Sequence, residues 1–166
     1  MTADHPGVAR GDFLEAMSAL PGPVSLITTG HGDRRMGLTA SSICSLSADR
    51  PSIIVCVNKS ASAHDFLLEN GCFGVNILHP SQQDAAELFT SKGVDRFASH
   101  QWIELTTGAP ILADALVALD CRLNRAIDGF SHTILIGVVE QLISREADEA
   151  DCLVWHRRRF RTAADL

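Results

Sequence analysis

The chain has 166 residues, 46% of them apolar and 20% charged, with a formal charge of −6. That is the balance of one ordinary globular domain, and its negative charge argues against nucleic acid as the principal partner. No apolar run approaches the roughly 18 residues of a membrane span, and five cysteines without a C-x-x-C pair form neither a zinc framework nor a secreted disulfide scaffold.

The first twelve residues, MTADHPGVARGD, lack the basic start and apolar stretch of a signal peptide, so a cytoplasmic protein is expected. Residues 1–10 read as a flexible N-terminus ahead of a single domain over 11–166. GDFLEAMSAL then pairs Asp12 with Glu15 in a capping-box pattern and places Phe13, Leu14, Met17 and Leu20 on one helical face. Pro21-Gly22-Pro23 ends it. VSLITT reads as a strand, GHGDRR as a turn, and the segment from Met36 to about Leu46 as the returning partner strand. SIIVCVN reads as a strand buried on both faces. Ser62 with Asp65 predicts a short helix stopped at Gly71, and CFGVNIL a further strand. Ser81 with Asp84 predicts a helix over QQDAAELFTSK, closed by Gly93.

After an irregular stretch, VDRFASHQWIELTTGAPIL, the sequence alternates with period two. Val117, Leu119, Cys121 and Leu123 fall on one face, and Ala118, Asp120, Arg122 and Asn124 on the other. HTILIGVVEQLIS and CLVWHRRRF complete the set. Cys44, Cys56, Cys72 and Cys121 sit in strand-like runs, where free cysteine behaves as a small buried hydrophobe. The seven histidines lack the i, i+4 spacing of a helical metal site, so no metal is expected. Roughly seven strands, three helices and few strand-helix-strand repeats predict a mainly β protein, an antiparallel barrel with helices over its ends.

The chemistry concentrates between Gly37 and His64, in GLTASSICSLSADRPSIIVCVNKSASAH. Asn58-Lys59-Ser60-Ala61-Ser62 joins a strand to an expected helix N-terminus, where free backbone N–H groups, a lysine and two hydroxyls suit a phosphate. The same residues also suit a capped helix with a solvated lysine. Thr39-Ala40-Ser41-Ser42 is small and donor-rich, which lets a flat ring approach the backbone, although a close-packed edge strand would look alike. Together the two segments suit a mononucleotide with a large planar head. No G-x-G-x-x-G, P-loop or G-x-S-x-G is present, so a Rossmann site, an NTPase loop and a serine hydrolase are disfavoured. A site rich in donors and poor in catalytic acids suits a cofactor that carries its own chemistry. The basic run HRRRFR reads as a solvated strand edge or as an anion contact.

In this order, that stretch with GCFGVNIL, DRF followed by a tryptophan, GFSHTILIG and WHRRRF resembles the short-chain flavin reductases of the flavin reductase-like family. The resemblance runs from about Asp12 to Phe160. It implies an antiparallel Greek-key split barrel acting as a homodimer, and reduction of FMN or FAD by NADH or NADPH, commonly for a partner monooxygenase. By position it implies Thr39, Ala40, Ser41 and Ser42 near the isoalloxazine ring, with Asn58, Lys59, Ser60 and Ser62 at the ribityl chain and phosphate. It further implies His132 at the nicotinamide side as the catalytic residue, Phe97 flanking the outer cofactor, and Arg159 as a cofactor contact. Two departures stand out. Phe130-Ser131 replaces the acid that often precedes the histidine, and Arg158 and Phe160 stand where the family often has glycine and tyrosine. Within the family the residues fit a cob(II)yrinic acid a,c-diamide reductase equally well, and outside enzymes a flavin carrier or sensor.

Overall fold

A computed structural model describes residues 7–145 and 151–163. Residues 1–6 of the expected flexible N-terminus lie outside them, and Arg10 already opens helix α1 (Arg10–Ser18). The protein is mainly β and antiparallel, as the alternation predicts. Its main sheet has seven strands in the order β3 (Met36–Ala40), β2 (Ser25–Thr29), β6 (Cys72–Ile77), β9 (Val117–Gly129), β10 (His132–Ser144), β5 (Ser52–Asn58) and β4 (Ile43–Ser47). The two edge strands, β3 and β4, are joined by only Ser41 and Ser42, so the sheet must curl until its edges meet at that link. The expected single strand over Met36–Leu46 is therefore two. It leaves β2 at Ala40 and pairs with β5 from Ile43 onward. β1 (Gly22–Pro23) passes so close to the link that a Cβ on Gly22 would lie 2.8 Å from the Ser41 carbonyl oxygen. Only glycine fits there.

Strand β2 is buried along its whole length because it separates two cores. Ile27 joins Val55, Val57, Leu67, Phe73, Val75 and Leu135 inside the barrel. Leu26, on the opposite face, joins Leu78, Ala86, Phe89, Ile111 and Leu112 beneath helix α3 (Gln83–Thr90). Buried Asn76 is fully used: its amide donates to the Leu26 carbonyl and Thr28 Oγ1, and its Oδ1 accepts from Leu112 N at 2.7 Å. The expected irregular stretch thus contains a short hairpin, β7 (Trp102–Glu104) and β8 (Pro110–Leu112), held on this core.

Strand β5 alternates instead of burying both faces, with Ile53, Val55 and Val57 inward and Ile54 and Cys56 half-buried outward. Cys72 and Cys121 are core residues, but Cys44 is exposed on the edge strand β4. On β9 the alternation breaks at Asp120-Cys121: Ala118 and Asp120 are buried, and so is Cys121. The Asp120 carboxylate is compensated by Thr107, whose N–H donates at 2.7 Å and whose hydroxyl also donates.

Helix ends also differ from the capping patterns. No side chain caps α1 at Ala9, and α2 (His64–Asn70) starts after Ala63, without Ser62 as cap. Gly71 does end α2, at φ 64°. Ser81 lies in a 3-10 turn capped by His79, and α3 stops before Ser91, short of Gly93. CLVWHRRRF folds back as a hairpin, β11 (Leu153–His156) and β12 (Arg159–Thr162). Its central residues Arg157 and Arg158 both have positive φ, the type I′ pattern. No helix among the described residues is long and apolar enough to cross a membrane.

Candidate functional site

Strand β5 ends at Asn58, whose Oδ1 accepts from Ser60 N at 2.9 Å and Ser60 Oγ at 2.8 Å, an Asx turn. Ala61 N donates to the Asn58 carbonyl and His64 N to the Ala61 carbonyl, so the segment from Asn58 to His64 is a chain of tight turns. It is anchored at one end to the turn just before β10 and at the other to β10 itself. Lys59 N donates to the Ser131 carbonyl, and at the far end buried His64 places Nε2 2.8 Å from Thr133 Oγ1.

Ser60 and Ser62 face a cavity of about 510 Å³ that also takes in Thr39, Thr90, Lys92 and Arg96. Arg96 is braced there by Nη1 on the Gly37 carbonyl and Nη2 on the Ser91 carbonyl, both at 2.8 Å. The cavity continues past Thr39 and Thr90 into one of about 300 Å³ bounded by Ala40, Ser41, Trp155 and Phe160. At its other end it passes Ser62 and Arg96 into a space of about 250 Å³ beside Arg35 and Phe97. The three cavities adjoin through these shared walls, and together they form a groove with a small-residue and aromatic end and a cationic, hydroxyl-rich end.

The expected residues divide accordingly. Thr39, Ala40, Ser41, Ser60, Ser62 and Phe97 all line this groove. Thr39 spends its hydroxyl on the Ala86 carbonyl, 2.8 Å away, which ties β3 to α3. Phe97 is a wall residue only 7% exposed, packed against Phe89 and Trp102 with Arg35 over its face. Ser42 turns to the opposite side, toward α1. Asn58 is committed to its own turn. Lys59 carries its ammonium onto Asp128 of β9, and that hydrogen bond, with the charge behind it, holds the Asp128 carboxyl below its ordinary pKa. His132 pairs across the sheet with Asn58 and rests Nδ1 2.9 Å from Ser131 Oγ. Arg159 is exposed on β12, outside the groove, although its neighbour Phe160 is a wall.

The residues missed from sequence are Thr90, Lys92, Arg96, Trp155 and Phe160. Arg96 belongs to the DRF motif, so its charge was in plain view, but nothing local to the sequence brings residues 90–96 to residues 60–62. The donor set fits a phosphorylated ligand with a flat head. Thr39, Ser60 and Thr90 spend their hydroxyl protons on the Ala86 carbonyl, Asn58 Oδ1 and the Glu87 carbonyl, so Lys92, Arg96 and the Ser62 hydroxyl can meet a phosphate, while Ala40 and Ser41 leave room for a ring beside Trp155 and Phe160.

An antiparallel barrel with such a groove is the frame of a mononucleotide-binding protein. Residues 17–164 match the flavin reductase like domain, and the chain belongs to that family. It is 41% identical over 155 residues to the FMN reductase (NADH) RutF of Pseudomonas syringae pv. syringae, covering 92% of this chain and 86% of that protein. Among solved structures it is similar to the NADH:FAD oxidoreductase of Streptomyces globisporus in complex with NAD and FAD fragments, with a TM-score of 0.85, 30% identity and 93% of each chain covered. It is also similar to BorF, the flavin reductase component of a bacterial two-component tryptophan halogenase, with a TM-score of 0.84 and 33% identity over 95% of this chain and 100% of that one.

Proposed function

We propose that the protein is an NADH-dependent flavin reductase that takes FMN in this groove and supplies reduced flavin to a separate monooxygenase component. The observation that carries the reading is the convergence of Ser60, Ser62, Lys92 and Arg96 on one cavity that opens toward Ala40 and Ser41. The name of the 41%-identical relative favours FMN and NADH over FAD and NADPH.

A bound flavin would supply the redox chemistry, as acceptor of hydride from the reduced nicotinamide. The chain's task is positioning. Ser62, Lys92 and Arg96 would hold the phosphate, Ser60 bracing the turn through Asn58, and the Thr39–Ser41 backbone would receive the ring edge beside Trp155 and Phe160. His132, across the sheet from Asn58, would orient the nicotinamide carboxamide.

The same reading includes a homodimer. Helix α1 buries no residue, and with Leu20 just beyond it presents Phe13, Leu14 and Met17 at 42–68% exposure. Leu14, Met17 and Leu20 rim a groove of about 680 Å³ against Ile43, Ile54 and Trp155. An apolar helix face of this kind fits a second copy better than water.

Anaerobic single-turnover reduction of bound FMN by NADH tests the reading. The parent should react without metal. His132→Ala should retain FMN but lose roughly tenfold in kcat/KM, about 1.4 kcal/mol of transition-state stabilisation. Absence of NADH oxidation with both FMN and FAD would refute the assignment.

A further inference from the structure

The hairpin between β9 and β10 turns on two residues, Phe130 and Ser131, closed by the Gly129–His132 pair. Phe130 has φ 64°, and Ser131 is not among the positive-φ residues. A single positive φ at the first central position is the pattern of a type II′ turn, where glycine is the ordinary occupant. Phenylalanine in that place strains the backbone, and its ring is also 94% exposed. Either feature alone would be unremarkable. Together they describe a side chain held in a costly conformation with almost no contact in the chain to offset it, which points to a contact made with another molecule.

The surroundings narrow the choice. The turn adjoins the start of the Asn58–His64 segment: Ser131 accepts from Lys59 N, and His132, which the reading above gives to the nicotinamide, stands opposite Asn58. Asp128, two residues before Phe130, neutralises the Lys59 ammonium, so no free carboxylate charge there repels an approaching pyrophosphate. A ring seated in the groove lies among Ala40, Ser41, Trp155 and Phe160, and Phe130 is not among the groove's lining residues. A phenyl ring that is almost wholly exposed meets the part of a ligand that extends outward from the groove.

We infer that Phe130 is a stacking platform for the adenine ring of the reduced dinucleotide, an inference that rests on the flavin reductase reading above. Nicotinamide must reach the flavin near His132, and the adenosine half is the portion left outside. It is flat, aromatic and joined through a pyrophosphate. Phe130 therefore sets affinity for the dinucleotide and leaves the hydride step alone.

The test compares the parent with Phe130→Gly and Phe130→Trp in anaerobic stopped-flow reduction of FMN, using NADH and reduced nicotinamide mononucleotide, which lacks the adenosine half. Phe130→Gly should melt at a higher temperature because the turn strain is relieved. It should nevertheless need about tenfold more NADH for half-maximal rate, the size of one base–aromatic stack. The limiting rate, and every value for the mononucleotide, should match the parent. Phe130→Trp should keep the parental NADH dependence. Unchanged NADH dependence in Phe130→Gly would overturn the inference. So would an equal loss with the mononucleotide, which would place the ring on nicotinamide, or dissociation in sedimentation velocity, which would place it on a second subunit. Failure of the underlying reading would appear separately, as a parent enzyme that does not oxidise NADH with flavin.

Discussion

Lys92→Ala should weaken FMN binding three- to tenfold and leave riboflavin, which has no phosphate, nearly unaffected. The magnitude follows from where the ammonium sits. Lys92 shares its cavity with Ser60, Ser62 and Arg96, yet it is itself exposed on the rim. A shielded charge-assisted hydrogen bond contributes about 1.5–3 kcal/mol, and an exposed ion pair about 0.2–1 kcal/mol. A rim position lies between these, about 0.7–1.4 kcal/mol, which is the three- to tenfold range. Arg96 is a less clean probe, because its removal also strips partners from the Gly37 and Ser91 carbonyls. Lys59→Ala is the informative control. Its ammonium is engaged by Asp128, so FMN affinity should change by no more than about twofold, within the range of a screened surface pair. Fluorescence titration of both flavins, at low salt and again at high salt, measures these quantities, and the Lys92 effect should shrink as salt rises. If Lys59→Ala loses the FMN affinity and Lys92→Ala does not, the phosphate lies at the Lys59 turn and the groove is misassigned.

Arg158→Gly should raise the melting temperature by about 1–4 °C. Relief of positive φ is worth about 1 kcal/mol or more, the exposed pair with Glu15 at 3.0 Å offsets at most part of it, and domains of this size shift by roughly 2–4 °C per kcal/mol. Asp128 should titrate below the ordinary carboxylate range in the parent and return toward it in Lys59→Met, as followed by carbon NMR. Because its folded pKa is depressed, the pair's contribution is present above the ordinary carboxylate pKa and disappears as pH falls through the depressed value. Thr133→Val, which leaves His64 Nε2 without its partner in a buried site, should destabilise by about 1–3 kcal/mol and weaken FMN, while Thr133→Ser keeps both properties.

The barrel, and the two segments that the structure brings to one groove, were legible because both rest on local signals: strand alternation, a glycine stop at Gly71, and hydroxyl residues where apolar ones would pack better. The parts that escaped are those decided across the fold. Met36 to Leu46 is one unbroken strand by propensity, and only closure of the sheet makes it change partners at Ser41-Ser42. The C-terminal hairpin was hidden because its I′ turn is Arg157-Arg158, without the Asn or Gly that normally announces one. Asp120 contradicts its own charge because Thr107, 13 residues away, supplies two donors. Lys59 reads as a phosphate lysine from its turn, whereas in the structure its ammonium pairs with Asp128, 69 residues further on, and the cations that line the groove are Lys92 and Arg96. The roles of His132 and Phe97 came from the family resemblance, since an isolated histidine or phenylalanine in a strand-rich sequence carries no such signal.

The period of two along β10 explains how so small a barrel can hold the site rigid. His132 faces outward with its register partner Asn58, at the rim where the nicotinamide is expected. Thr133, the next residue, faces the core, where its hydroxyl meets His64 at the start of α2. The turn from Asn58 to His64 is therefore fastened at both ends to one short stretch, the start of β10 and the turn just before it, by the Lys59–Ser131 backbone bond and by the His64–Thr133 contact. Movement of that stretch would displace the two serines and His132 together. On the flavin reductase reading proposed above, the flavin and dinucleotide subsites would then keep their spacing when the barrel breathes. A hydride transfer that depends on ring-to-ring distance needs that constancy more than it needs an acid or base.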